Sequence, residues 1–296
     1  MEELLSTFNF LSLYRTPDFL KNMGNSDRLQ LLIELLQSNP SEQHWKAVCE
    51  VFASWSENEE KRKALDLANQ RLSSWNIDLR YLPSSWKYLY NNGQLSSIAK
   101  IVRSIGIYGR EENGNRLLKI IVCSPYSENL YSLIINKSEI YTDGLRELFA
   151  SNYLQNISTL AFEVVTFSEE ETSKLFSATN LPKLTTLIIR EIGLNTKRIV
   201  ILLQSRLIQQ IEHLDLSNNL LNDKSVFLLS FSSMLLNLKY LNLTGNYIRD
   251  EGAKALANST TLSNLKELNI SQNHITKTGK DILCQSILLN KTKIIL

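Results

Sequence analysis

Cysteine is nearly absent from this chain of 296 residues: there are three, Cys49, Cys123 and Cys284. Their scattered spacing offers neither a paired disulfide framework nor a metal-ligand cluster, and the simplest reading is a reducing interior. No uninterrupted apolar run approaches the roughly 20 residues of a membrane-spanning helix. The start, Met1-Glu2-Glu3-Leu4-Leu5, lacks the basic-then-apolar layout of a secretory signal, so a cytoplasmic location is expected. An excess of one charge is lacking too. With 32 basic residues against 30 acidic ones and a formal net charge of +2, nothing points to nucleic acid or an anionic membrane as partner. Glycine is scarce, at 10 residues, and Gly109-Arg-Glu-Glu-Asn-Gly114 lacks the Lys-Ser/Thr ending of a phosphate loop. His44, His213 and His274 are too dispersed for a zinc site. No cofactor, metal or enzymatic constellation is expected.

What the chain does contain is a period. Asn219, Asn246 and Asn273 lie 27 residues apart, in the segments Leu214-Asp-Leu-Ser-Asn-Asn219, Leu241-Asn-Leu-Thr-Gly-Asn246 and Leu268-Asn-Ile-Ser-Gln-Asn273. The first leucine continues upstream as Leu187, Leu160 and Leu133, then as Ile105 after one 28-residue step. Two residues on, the series reads Leu243, Leu216, Ile189, Phe162, Ile135 and Ile107; three residues before the first leucine it reads Leu265, Leu238, Ile211, Leu184, Ile157, Leu130 and Val102. A fourth series in the second half of each unit runs Ile120, Leu148, Leu175, Leu202, Leu229, Leu256 and Leu283. Filling even two such series by chance is about a one-in-a-million event. The alternating core of each unit predicts a short strand with its leucines inward. The second half predicts a helix, with Asp250 as the cap of Asp250-Glu-Gly-Ala-Lys-Ala-Leu-Ala257.

Each unit reads L-x-x-L-x-L-x-x-N-x-L followed by a helical stretch, and residues 98–296 resemble the ribonuclease-inhibitor-like class of leucine-rich repeats. The resemblance implies an α/β horseshoe solenoid of about seven 27–28-residue repeats, parallel strands on the concave face and helices outside. The asparagine stands only in the last three units; Ile192, Val165 and Ser138, and nominally Arg110, take its place upstream. Those turns must satisfy their backbone groups by water or by tighter backbone pairing.

Residues 1–97 read as a separate all-α cap, because Trp45, Trp55, Trp75 and Trp86 all lie there and none lies in the repeats. Leu29 to Leu36 predicts one helix; Ser41 caps a second that carries Trp45, Val48, Cys49, Phe52 and Trp55; Ser56 with Glu59 forms a capping box for a third. Pro83 and Asn91-Asn92-Gly93 separate this module from the repeats, and Trp75-Asn-Ile-Asp-Leu-Arg-Tyr-Leu-Pro83 followed by Ile101-Val-Arg-Ser-Ile-Gly-Ile107 looks like the junction in certain bacterial proteins with a short helical region before such repeats. At the other end Lys293-Ile-Ile-Leu296 reads as the start of an eighth strand. Either it is itself the cap, leaving a monomer, or its edge pairs with another chain in a dimer.

The fold implies binding, and the outward strand positions are where a partner protein would touch. The candidates are Tyr108, Glu163, Arg190, Glu191, His213, Asp215, Tyr240, Asn242, Glu267 and Asn269. Tyrosine and arginine are enriched at binding hot spots, and the charges cluster mid-array. His274 is read as structural, and Cys123 and Cys284 as small core residues. The expected function is a scaffold for a protein partner. The alternative is a regulator of a partner enzyme, such as a GTPase activator with Arg190 as a transition-state contact.

Overall fold

The computed structural model describes residues 20–83, 89–91, 93–109, 114–176 and 180–296, and Trp86 and Arg110 lie outside them. The chain divides into two compact units, one of residues 1–82 and 86–104 and one of residues 83–85 and 105–296.

The first unit is built on α1 (Asn25–Gln37), α2 (Glu42–Ala53) and α3 (Glu59–Arg71). α2 begins where the Ser41 hydroxyl accepts from the His44 N–H, and it buries Trp45, Val48, Cys49 and Phe52 on one stripe; Trp55, expected on that stripe, lies beyond the helix end at Ala53 and stacks on Phe52 from there. α3 is capped by Asn58, not by Ser56: the Asn58 side chain accepts from the Lys61 N–H. Asn58 is the residue adjoining the first helical turn, which a box begun at Ser56 overshoots. A short strand, β1 (Tyr81–Pro83), and a hairpin of β2 (Tyr90–Asn91) with β3 (Gln94–Leu95) follow the helices. Arg80 is almost fully buried without a carboxylate. Its guanidinium donates to the carbonyls of Ile101 and Leu72 and to Asn69 Oδ1, which offsets part of the desolvation that pushes it down to about 9.

In the second unit strands alternate with helices: β4 (Ser104–Tyr108), α4 (Gly114–Val122), β5 (Ser132–Asn136), α5 (Thr142–Ala150), β6 (Thr159–Glu163), α6 (Glu169–Phe176), β7 (Thr186–Arg190), α7 (Thr196–Gln204), β8 (His213–Asp215), α8 (Asp223–Ser230), β9 (Tyr240–Asn242), α9 (Asp250–Ala257), β10 (Glu267–Asn269), α10 (Lys277–Cys284) and β11 (Lys293–Ile295). The strands lie side by side in sequence order, and from β5 to β10 the register advances 27 residues at each strand, as in Leu160 opposite Leu187 and Leu214 opposite Leu241. Strands stack about 4.8 Å apart, whereas packed helices need about 8–10 Å, so the stack bends with its sheet on the inner curve.

The three strand-centred apolar series form the core, and every member from Val102 to Ile270 is at most 2% exposed. In the helical series Ile120 is the exception: Ile121 is the fully buried residue, 27 before Leu148. The extra residue of the single 28-residue step lies between Gly109 and Asn115, so the helix already follows the regular spacing. Gly109, Lys137, Val164, Glu191, Asn218, Gly245 and Gln272, each one residue before the asparagine position, all adopt positive φ. The period is thus written in the backbone itself.

Where asparagine is present it stitches consecutive turns together. Asn219 Oδ1 accepts from Ile192 N (3.2 Å) and Leu194 N (3.0 Å), while its Nδ2 donates to the carbonyls of Ile189, Leu216 and Ser217. Asn246 and Asn273 repeat the pattern one and two turns on. Where it is missing, Ser138 donates within reach of Gly109 and Asn136 carbonyls (3.1 Å each), and the strands lengthen from three residues to five. At the start of the strands, the carbonyls of Tyr131, Ser158, Thr185, Glu212 and Lys239 each accept two successive N–H groups from the next turn, as in Thr185 from Glu212 N (2.9 Å) and His213 N (3.0 Å).

Two further expectations are corrected. Asp250 does not cap its own helix, whose N-cap is Arg249; its carboxylate accepts from the Thr276 backbone N–H (2.8 Å) and hydroxyl of the next turn. Asp223 does likewise for Arg249 and Gly252. Cys123 and Cys284 are exposed, because they stand at the ends of α4 and α10 beyond the inward-facing stripe.

A candidate partner-binding face

The outward residues of the second unit form rows across the sheet because every strand keeps the same register. One row places Thr186, His213, Tyr240 and Glu267 side by side; two residues on, Ile188, Asp215, Asn242 and Asn269 follow. Together with buried Leu214 and Leu241 these residues line an open hollow of about 280 Å³. The His213 and Tyr240 rings, direct register partners, stack with centroids 4.0 Å apart and planes 13° from parallel. Burial holds His213 below the ordinary imidazole value despite the Glu212 carboxylate beside it.

Beside the hollow a hydrogen-bonded polar bar crosses five strands. Asn136 Nδ2 donates to Glu163 (2.7 Å), and Arg190 donates to Glu163 Oε1 (2.9 Å). The same guanidinium donates through Nε (3.0 Å) and its far nitrogen (2.6 Å) to Asp215 Oδ2, which also accepts from Asn242 Nδ2 (2.8 Å). The other Asp215 oxygen accepts from the Ser217 N–H and hydroxyl. Burial would push the Asp215 carboxyl up, but the bonds from Arg190, Ser217 and Asn242 outweigh it and hold it below the usual carboxylate range. The Asp215 hydrogen bond in turn pushes Arg190 up.

Six of the ten sequence candidates, His213, Asp215, Tyr240, Asn242, Glu267 and Asn269, thus line the hollow, and Glu163 and Arg190 join the bar. Glu191 sits apart, on the left-handed turn after β7, where it accepts from Asn218 (3.4 Å). Tyr108 lies at the end of β4. Asn136, Ser217 and Lys293, which donates to Glu267 (2.9 Å), were not among the candidates. Asn136 had a signal: it stands 27 residues before Glu163. Among the described residues no group of three or more His, Cys, Asp and Glu side chains is placed to hold a metal ion.

The register, the asparagine stitching and the recurrent left-handed turn coincide with a known repeat, for residues 235–257 and 261–279 match the family described as leucine-rich repeat. Those two segments are leucine-rich repeats. No curated protein matches its sequence. Solved structures similar to this chain include an internalin from Listeria monocytogenes (19% identity, 70% of this chain and 59% of that one, TM-score 0.37). A leucine-rich-repeat protein from Leptospira interrogans is 18% identical over 69% of this chain and 58% of its own, with a TM-score of 0.38. A protein from Bacteroides fragilis is 18% identical over 65% and 74%, with a TM-score of 0.36. The chain spans less than three-fifths of the internalin and of the Leptospira protein.

Proposed function

We propose that this leucine-rich-repeat chain is a scaffold that binds a partner protein through the concave face of its sheet and the adjoining turns. The observation that carries this reading is the preorganised bar from Asn136 to Asn242 beside an open hollow. Side chains already locked by mutual hydrogen bonds lose little freedom when a partner lands on them. The strands alone offer on the order of 400 Å², against about 800 Å² per partner in a standard interface. The turns after the strands, with Glu191 among them, therefore belong to the contact surface. The regular 27-residue spacing with full helical second halves supports the ribonuclease-inhibitor-like class, and three free thiols fit a reducing, cytoplasmic setting. Arg190 is engaged by two carboxylates, an arrangement that does not favour a role as a transition-state finger in a partner enzyme.

The test is site-specific photo-crosslinking in cells. A crosslinker in place of Asn269 on the concave row should capture a discrete partner that one in place of Lys254, on the outer helix α9, does not. Equal capture from both positions, or capture from Lys254 alone, would sink the concave-face reading.

A further inference from the structure

The concave hollow is asymmetric in a way that specifies what enters it. His213 and Tyr240 are register partners whose nearly parallel rings stack along the strand-to-strand direction. Tyr240 covers one face of the imidazole; the register partner on the other side is Thr186, which carries only a methyl and a hydroxyl. The space above Thr186 and Ile188 is therefore a slot with an aromatic wall, and both residues line the hollow.

Charge settles the chemistry of the occupant. Three partly sheltered carboxylates border the region, Glu163, Asp215 and Glu267, with side chains 19%, 13% and 35% exposed, against the Arg190 guanidinium; beside His213, Lys239 is paired with Glu212 and the exposed Lys266 is a further, solvent-screened cation. The partner of Glu267, Lys293, is 69% exposed, so water and salt screen its compensation. Glu191 adds a further acid on the neighbouring turn. A neutral aromatic side chain would fill the slot but leave that surplus unanswered. A lysine would answer the charge but not the flat wall. A guanidinium does both: it is planar, stacks on rings, and presents donors in a fork suited to carboxylates.

Resting on the concave-face reading above, we propose that the hollow over β7 to β10 receives an arginine side chain of the partner protein, its guanidinium stacked against His213 and directed at the Glu163–Asp215 edge. Arg190 lies within that edge as a counter-charge that keeps two carboxylates together, not as an open cation.

The experiment titrates the full chain with the peptide Ac-Gly-Arg-Gly-NH2 and with two analogues, one carrying citrulline and one carrying tryptophan in place of arginine. The ring protons of His213 and Tyr240 are followed by NMR. The arginine peptide should shift both rings saturably, with a Kd of about 1–10 mM, as expected of one anchoring side chain. Citrulline keeps the shape and loses the charge, and should bind about tenfold more weakly. Glu163→Gln, which preserves side-chain volume, should weaken the arginine peptide about threefold, and Tyr240→Ala, which removes the support behind the His213 ring, by at least as much. Citrulline binding as well as arginine, or tryptophan binding better, would overturn the choice of a cation while leaving a concave binding face intact. No shift of either ring by any peptide up to about 50 mM would overturn the slot itself, and the crosslinking experiment judges the face independently.

Discussion

The stitching asparagines should not be equal in value, and the structure ranks them. Asn219 stands at the upstream end of the ladder. Its Oδ1 is the acceptor for two buried N–H groups, Ile192 and Leu194, and its Nδ2 serves the Ile189 carbonyl, for which Ile192 offers no side-chain donor in its place. Asn246 is different. It receives the Leu221 N–H alone, and its two main carbonyl partners are shared: Leu216 also accepts from Asn219, and Leu243 also accepts from Asn273. Asn273 is half-buried, so water can replace much of what it does. An orphaned buried donor or acceptor costs about 1–3 kcal/mol. Asn219→Ala should therefore cost about 3–5 kcal/mol, Asn246→Ala about 2–3, and Asn273→Ala about 1. Urea unfolding followed by far-ultraviolet circular dichroism, with hydrogen exchange at Leu194 and Leu221 as a local readout, measures the order. If Asn219→Ala were no more costly than Asn273→Ala, the accounting of shared carbonyls would be wrong.

Other perturbations follow from single contacts. Val164 is an exposed, β-branched residue held at φ 55°, so Val164→Asn should raise stability by about 1 kcal/mol in a thermal melt; no gain would deny the strain. Gly252→Ala should destabilise by about 1–3 kcal/mol even though alanine is the better helix former, because the added carbon would meet Asp223 Oδ1 and Ile248 Cγ2 at 2.6 Å. A more stable variant would show that this contact relaxes freely. Asp215 has its carboxyl depressed in the fold, so its stabilising contribution is present above about pH 4 and is lost as the pH falls through the folded value. Arg190→Gln should flatten that acid limb of the stability curve, and an unchanged limb would exclude the pair as its source.

The repeat was legible because inward strand positions answer to a single local rule. Leu133, Leu160, Leu187, Leu214, Leu241 and Leu268 are spaced and buried as that rule demands. What was misread depends on a neighbouring turn. Asp250 looks like a cap in its own window, yet it serves Thr276 of the following repeat. Gly252 and Gly279 are small because Asp223 and Asp250 from the preceding turn occupy the space a side chain would need. Cys123 and Cys284 looked apolar enough for the core, but they fall past the last inward position of their helices. On the concave face the outward alternation located the hollow residues, whereas the Arg190 bond to Asp215 runs diagonally between rows and has no spacing to announce it.

The doubled carbonyls at the start of the strands carry a consequence for rewriting the molecule. They hold successive turns together entirely through main chain, and the residues that supply them, Tyr131, Ser158, Thr185, Glu212 and Lys239, share no chemistry. The main-chain joint does not depend on side-chain identity, although the Lys239 and Glu212 side chains add an ion pair (2.6 Å) across it. Four of these addresses, all but the buried Ser158, stand along one rim of strands about 4.8 Å apart, where an engineer could write a new sequence of side chains, charge by charge, while the fold beneath goes on reading only its own backbone.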